Sequence, residues 1–135
     1  MLMPAVRFRV DFGRDEAIGP GKIALLEQIG MSGSLSQAAR ELGMSYRRAW
    51  QLLCSLNACF RERAVTTSKG GRGGGGAMLT AFGRELIRAY RKFDAEVQQR
   101  ALRHFAAIGR RAHARAAGRK AATVMRLSER RSRRA

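Results

Sequence analysis

Arg47 and Arg48 stand side by side just after Ser45 and Tyr46, and Gln51 follows one helical turn beyond Arg47. A guanidinium presents a planar fork of donors that matches O6 and N7 of guanine, and a glutamine amide matches N6 and N7 of adenine. Each such contact discriminates against the wrong base by about 1–3 kcal/mol. An isolated Arg-Arg pair reads as a solvated helix surface. Here the pair sits in the first turn after a helix cap, where a groove-entering helix carries its base-reading side chains. The chemistry is recognition, not bond-making. No nucleophile stands beside a base, and the few acidic residues are interleaved with arginine, as in Arg61-Glu62-Arg63, so catalysis is not expected.

A second donor group lies in Ser68-Lys69-Gly70-Gly71-Arg72-Gly73-Gly74-Gly75-Gly76. Glycine-rich loops also cradle nucleotide phosphates, but a P-loop requires Gly-Lys-Ser/Thr leading into a helix, and here the order is Ser68-Lys69-Gly70. ATP binding fails on that spacing. What remains is a hairpin with Lys69 and Arg72 as point charges and glycines that allow close approach to a phosphate backbone. A plain flexible linker is the competing reading. Trp50, beside Ala49 and Leu53, reads as packed inward in preference to a base-stacking platform. Cys54 and Cys59 lie five apart on one helix, out of disulfide reach, and read as reduced thiols. His104 and His113 are too far along the chain to complete a metal site with them, and no cofactor is expected.

These residues need elements to hold them. Val6, Phe8, Val10 and Phe12 alternate with Arg7, Arg9 and Asp11, the period of a strand with one wet face. Turn residues fill 13–20, and Ile23, Leu25, Leu26 and Ile29 then repeat at helical spacing up to Gly30 and Ser32-Gly33. Ser34 and Gln37 form a capping box that opens a second helix, with Leu35, Ala38, Ala39 and Leu42 inside. Gly43 suits the left-handed turn that ends it. Ser45 caps a third helix reaching about Phe60, with Ala49, Leu53, Leu56 and Phe60 inward and Arg47, Gln51 and Ser55 on another face. Residues 65–67 and 77–79 are β-compatible arms around the glycine loop. Thr80 caps a last long helix whose stripe of Phe82, Leu86, Tyr90, Phe93, Val97 and Ala101 needs a partner, most simply a second copy of itself.

The chain has 135 residues and a formal charge of +17, enough for one modest core and a tail. Residues 110–135 hold ten Lys or Arg against one Glu, net +9, leaving +8 for the rest. Such a field concentrates polyanions and speeds encounter with them, which makes nucleic acid the leading partner class. Large apolar side chains are sparse beyond residue 109, so that tail is expected to be disordered or only transiently helical in the free protein. No apolar run is long enough to span a membrane. The first residues lack a secretory hydrophobic stretch, so a cytoplasmic, nucleoid location is expected.

Taken together, Gly33-Ser34-Leu35-Ser36-Gln37-Ala38-Ala39-Arg40-Glu41-Leu42-Gly43-Met44-Ser45-Tyr46-Arg47-Arg48-Ala49-Trp50, then Gly70 to Thr80, then Phe82-Gly83-Arg84-Glu85-Leu86-Ile87, resemble the N-terminal winged helix-turn-helix domain of the ModE-type molybdate-responsive regulators. The resemblance covers about residues 5–105. A looser likeness to LysR-type regulators lies in the helix-turn-helix and in Leu79-Thr80. The ModE likeness implies a mainly α fold with a small β wing and a long C-terminal dimerisation helix, over residues 1–108, followed by the basic tail 109–135. It implies a homodimer on a palindromic site in double-stranded DNA. Ser34, Ser36, Gln37, Ser45, Tyr46, Arg47, Arg48 and Gln51 would then face DNA, Lys69 and Arg72 its backbone, and Leu86, Tyr90, Phe93 and Val97 the second copy. Typical members continue into molybdate-binding domains, whereas these residues close on an arginine-rich tail, so oxyanion sensing by this chain alone is not expected. A transcriptional regulator is the leading expectation, a nucleoid-packaging protein with little sequence preference the alternative, and a sensor with a pocket at the dimer interface a third.

Overall fold

The computed structural model describes residues 3–13, 16–68 and 75–112. The element order is β1 (Val10–Gly13), β2 (Glu16–Ile18), α1 (Pro20–Ser32), α2 (Leu35–Glu41), α3 (Tyr46–Cys59), β3 (Val65–Thr67), β4 (Ala77–Leu79) and α4 (Ala81–Gly109). The fold is mainly helical, with two small antiparallel sheets, β1-β2 and β3-β4.

The alternating N-terminal stretch yields a shorter strand than its period predicts. Residues 6–9 lie outside any strand, and pairing begins at Val10↔Ile18 and Asp11↔Ala17 before a bulge shifts the register to Gly13↔Glu16. Period-two burial needs only an extended backbone, whereas a strand also needs a ladder partner. That partner is β2, which lies within the stretch expected to be turn. Its three residues are too few to show a period, yet Ile18 is buried at the core.

α1 begins with Pro20 at its first position, where the missing N–H costs nothing. It ends on Gly33 at φ 68°, whose N–H donates to the Ile29 carbonyl at 2.8 Å. Its Ile23, Leu25, Leu26 and Ile29 are buried against Leu35, Ala38 and Ala39 of α2 and Ala49, Leu53 and Leu56 of α3. The small residues of α2 and α3 let three helices approach closely around one apolar centre. Ala64, Val65, Ala77 and Ile18 close it.

Two compact units divide the described residues: one is Arg7–Lys92, and the other gathers the N-terminal residues through Val6 with those from Phe93 on. α4 runs through this division. In the first unit the Tyr90 ring stacks on Phe8 at 5.0 Å, and its hydroxyl donates to the Phe8 carbonyl at 3.2 Å. Arg91 meets Glu27 there with both Nε and Nη2. In the second unit the Gln98 amide brackets Val6, accepting from its N–H at 2.9 Å and donating to its carbonyl at 2.8 Å. Of the tail expected to be disordered, residues 113–135 lie outside the described residues.

Candidate nucleic-acid interface

The helix pair α2–α3 is set by its caps. Ser34 Oγ accepts from the Gln37 N–H at 3.2 Å, as a capping serine should. The reciprocal half of the expected capping box is not made: the Gln37 amide donates to Glu41 Oε1 at 2.9 Å, and the Ser34 N–H donates to Ser32 Oγ at 3.3 Å. A glutamine one turn ahead of a glutamate finds a charged acceptor on its own helix face, which outcompetes bending back to the cap. Leu42 and Gly43 then turn the chain, with Gly43 at φ 65° in the left-handed region that glycine enters without steric cost. Ser45 caps α3, its Oγ accepting from the Arg48 N–H at 3.1 Å.

The core fixes the rotation of α3. Ala49, Leu53 and Leu56 point into the core, and Tyr46, Arg47, Arg48 and Gln51 are all exposed. Two arginines thus stand over the positive end of the helix, a combination suited to anions and base acceptors. Ser36 is exposed on α2, whereas the Ser34 and Ser45 hydroxyls are engaged as caps. Two expectations for α3 need correction. Trp50 does not pack inward: it is 43% exposed, because it lies about 100° around the helix from buried Ala49. Ser55 is not offered to a ligand: its Oγ accepts from Lys22 Nζ at 3.0 Å, and Lys22 also donates to the Ala17 carbonyl at 2.8 Å.

The β3-β4 hairpin occupies the strands expected, in register Val65↔Leu79, Thr66↔Met78 and Thr67↔Ala77. Its neck is closed by the Ser68 N–H donating to the Gly76 carbonyl at 2.9 Å and the Gly76 N–H donating to Ser68 Oγ at 3.1 Å. Lys69 and Arg72, the expected phosphate contacts, lie outside the described residues. Three contacts root the hairpin. The Ala77 N–H donates to the Gly33 carbonyl at 2.9 Å, tying β4 to the turn that opens α2. Asn57 Oδ1 accepts from the Ala64 N–H at 3.0 Å, and its Nδ2 donates to the Val65 carbonyl at 3.2 Å. Thr80 Oγ1 accepts from the Gly83 N–H at 3.0 Å, capping α4 as expected, and donates to the Arg63 carbonyl at 2.6 Å. Gly83 presses on this junction, since a Cβ there would sit 2.2 Å from the Ala64 carbonyl oxygen. Asn57 and Gly83 carried no functional signal in the sequence. A helical asparagine and a helical glycine look like weak propensity choices until the neighbouring backbone is seen.

Of the side chains expected at a dimer seam on α4, Leu86 and Tyr90 pack on the chain's own core, Val97 is half-buried and Phe93 is 47% exposed. Further along, Phe105 and Ile108 are exposed. Both cysteines are free thiols; Cys54 is exposed and Cys59 half-buried. Burial pushes the Cys59 thiol above its ordinary pKa, with Lys22 opposing and Glu16 adding, and its Sγ donates to the Ser55 carbonyl at 3.1 Å. Among the described residues, no group of three or more His, Cys, Asp or Glu side chains could hold a metal ion. No described helix is long and apolar enough to cross a membrane.

A capped helix pair with an outward donor face, followed by a hairpin rooted beside it and a long helix, is the winged helix-turn-helix, a DNA-binding fold. No protein-family model matches the chain. It is 43% identical over 82 residues to the DNA-binding transcriptional dual regulator ModE of Escherichia coli K12, covering 61% of this chain and 31% of that protein. It is 45% identical over 80 residues to the molybdenum-pterin-binding protein MopB of Rhodobacter capsulatus, covering 59% and 30%. It is 36% identical over 100 residues to the molybdenum transport protein ModE of Azotobacter vinelandii, covering 71% and 37%. The chain spans about a third of the length of these curated relatives. Over the matched residues it carries a ModE-type winged helix-turn-helix domain.

Proposed function

We propose that the chain is a homodimeric, sequence-specific DNA-binding transcriptional regulator, linked to molybdate-related genes as the names of its relatives suggest. One observation carries the reading: Tyr46, Arg47, Arg48 and Gln51 are exposed at the start of a helix whose opposite side is sealed by Ala49, Leu53 and Leu56. With α3 seated in the major groove, Arg47 and Gln51 meet base edges, Arg48 and Ser36 meet phosphates, and the hairpin brings Lys69 and Arg72 to the neighbouring backbone. Two copies joined through α4 from Phe93 onward would read two half-sites about one helical turn, or a multiple of it, apart. Binding of this kind occludes or exposes promoter DNA and needs no catalysis.

The charge of +17, with net +9 in residues 110–135, favours a second reading, in which the protein packages DNA with little base preference. Selection of bound duplexes from a random library separates the two. Regulation predicts enrichment of a two-fold symmetric motif with half-sites about 10 base pairs, or a multiple of that, apart. Recovery of unenriched sequence would overturn it in favour of packaging.

A further inference from the structure

Trp50 is the chain's single tryptophan, and it stands exposed on the helix read above as entering the groove. An indole joins a large apolar face to one polar N–H, a pairing suited to a surface where one side is apolar and the other wet. With each residue turning about 100°, Arg47 and Gln51 lie roughly opposite the buried trio of Ala49, Leu53 and Leu56, on the outermost line of α3. Tyr46 and Trp50, four residues apart, form a column on one flank, about a quarter turn from that line. Both members are exposed, Tyr46 at 55% and Trp50 at 43%. The major groove is about 12 Å wide, so a helix lying in it turns its outer line to the base edges and its flanks to the sugar-phosphate walls.

We infer that Trp50, with Tyr46 one turn ahead of it, is the wall contact of α3. The indole face covers a deoxyribose, and Nε1–H, which can only donate, binds a phosphate oxygen. The Tyr46 hydroxyl donates to the adjacent phosphate. The pair carries no base information; it holds α3 against the sugar-phosphate wall whatever the sequence. The inference rests on α3 being the groove-entering helix.

Because Trp50 supplies all the indole emission of the chain, the unaltered protein reports on it directly. Acrylamide quenching is measured with and without a labelled duplex of about 25 base pairs, saturation being followed by anisotropy of the label. The expected result is at least a twofold fall in the quenching slope at saturation. An unchanged slope at saturation overturns the wall contact while leaving DNA binding intact, and failure of the anisotropy to rise overturns the DNA-binding reading itself. Trp50→Ala is expected to weaken binding to selected and random duplexes alike by about tenfold, the loss of a hydrogen bond to a charged phosphate, and Trp50→Phe by less. A loss confined to the selected duplex would instead make Trp50 a base reader and overturn the assignment.

Discussion

Gly83 and Ala64 touch so closely that the joint between α3, the hairpin and α4 admits no added carbon. A Cβ on Gly83 would lie 2.2 Å from the Ala64 carbonyl oxygen, and the obstructing atom is backbone. Gly83→Ala therefore forces α4 away from the hairpin root, against any gain from alanine's better helix propensity. Overpacking of this kind costs about 1–3 kcal/mol or more, so thermal unfolding should move down by several degrees. An unchanged midpoint would mean that the two backbones are not in contact. The two thiols differ as sharply. Cys54 is exposed, whereas Cys59 is half-buried with its pKa raised by that burial and its Sγ engaged with Ser55. A thiol-specific reagent near neutral pH should label Cys54 first, since the thiolate is the reacting form. The sign for stability follows: the folded chain holds the Cys59 proton more tightly than the unfolded one, so its contribution is complete below the ordinary thiol pKa and is lost as pH rises through the raised one. Equal labelling rates would contradict the placement of Cys59.

At the scale of elements, the hairpin depends on Asn57. Its side chain binds the backbone at Ala64 and Val65, where β3 begins. Asn57→Ala leaves part-buried backbone groups without their partner, at a cost of about 1–3 kcal/mol, and should loosen hydrogen-exchange protection in β3 and β4 more than in α1. Uniform loss across the domain would show that Asn57 serves general stability, not the hairpin. The sequence made the helix-turn-helix legible because its markers are local: Ser34 and Ser45 at caps, Gly43 in a left-handed turn, and a 3–4 repeat of buried residues. The same locality put β3 and β4 on the right residues. What could not be read depended on contacts between distant segments. β2 was hidden because three residues show no period. Ser55 was mistaken for a free polar group because Lys22, far off in the chain, claims it. Leu86 and Tyr90 read as a dimer seam because helical spacing shows that a face is apolar, not which surface covers it; Tyr90 is taken by Phe8. Trp50 was misplaced because its neighbours in sequence, not its angle around the helix, suggested the core.

For the whole molecule, charge and recognition belong to different residues and should separate experimentally. Residues 110–135 carry net +9, and phosphate neutralisation makes log K fall linearly with log salt, with a slope of about −0.9 per phosphate contacted. Deleting those residues should weaken binding to every duplex similarly and flatten the slope by several units. An unchanged slope would remove the tail from the interface. The base-reading pair Arg47 and Gln51 makes the opposite demand: it should govern the ratio of affinities and hardly touch the salt slope. The most direct test is therefore a titration at one fixed salt concentration of the selected duplex and of a scrambled one, with the unaltered protein and with Arg47→Ala. The account predicts a preference of about a thousandfold or more for the selected duplex, cut by roughly ten- to a hundredfold when Arg47 is removed. A ratio near one for the unaltered protein, or equal losses on both duplexes with Arg47→Ala, would contradict it.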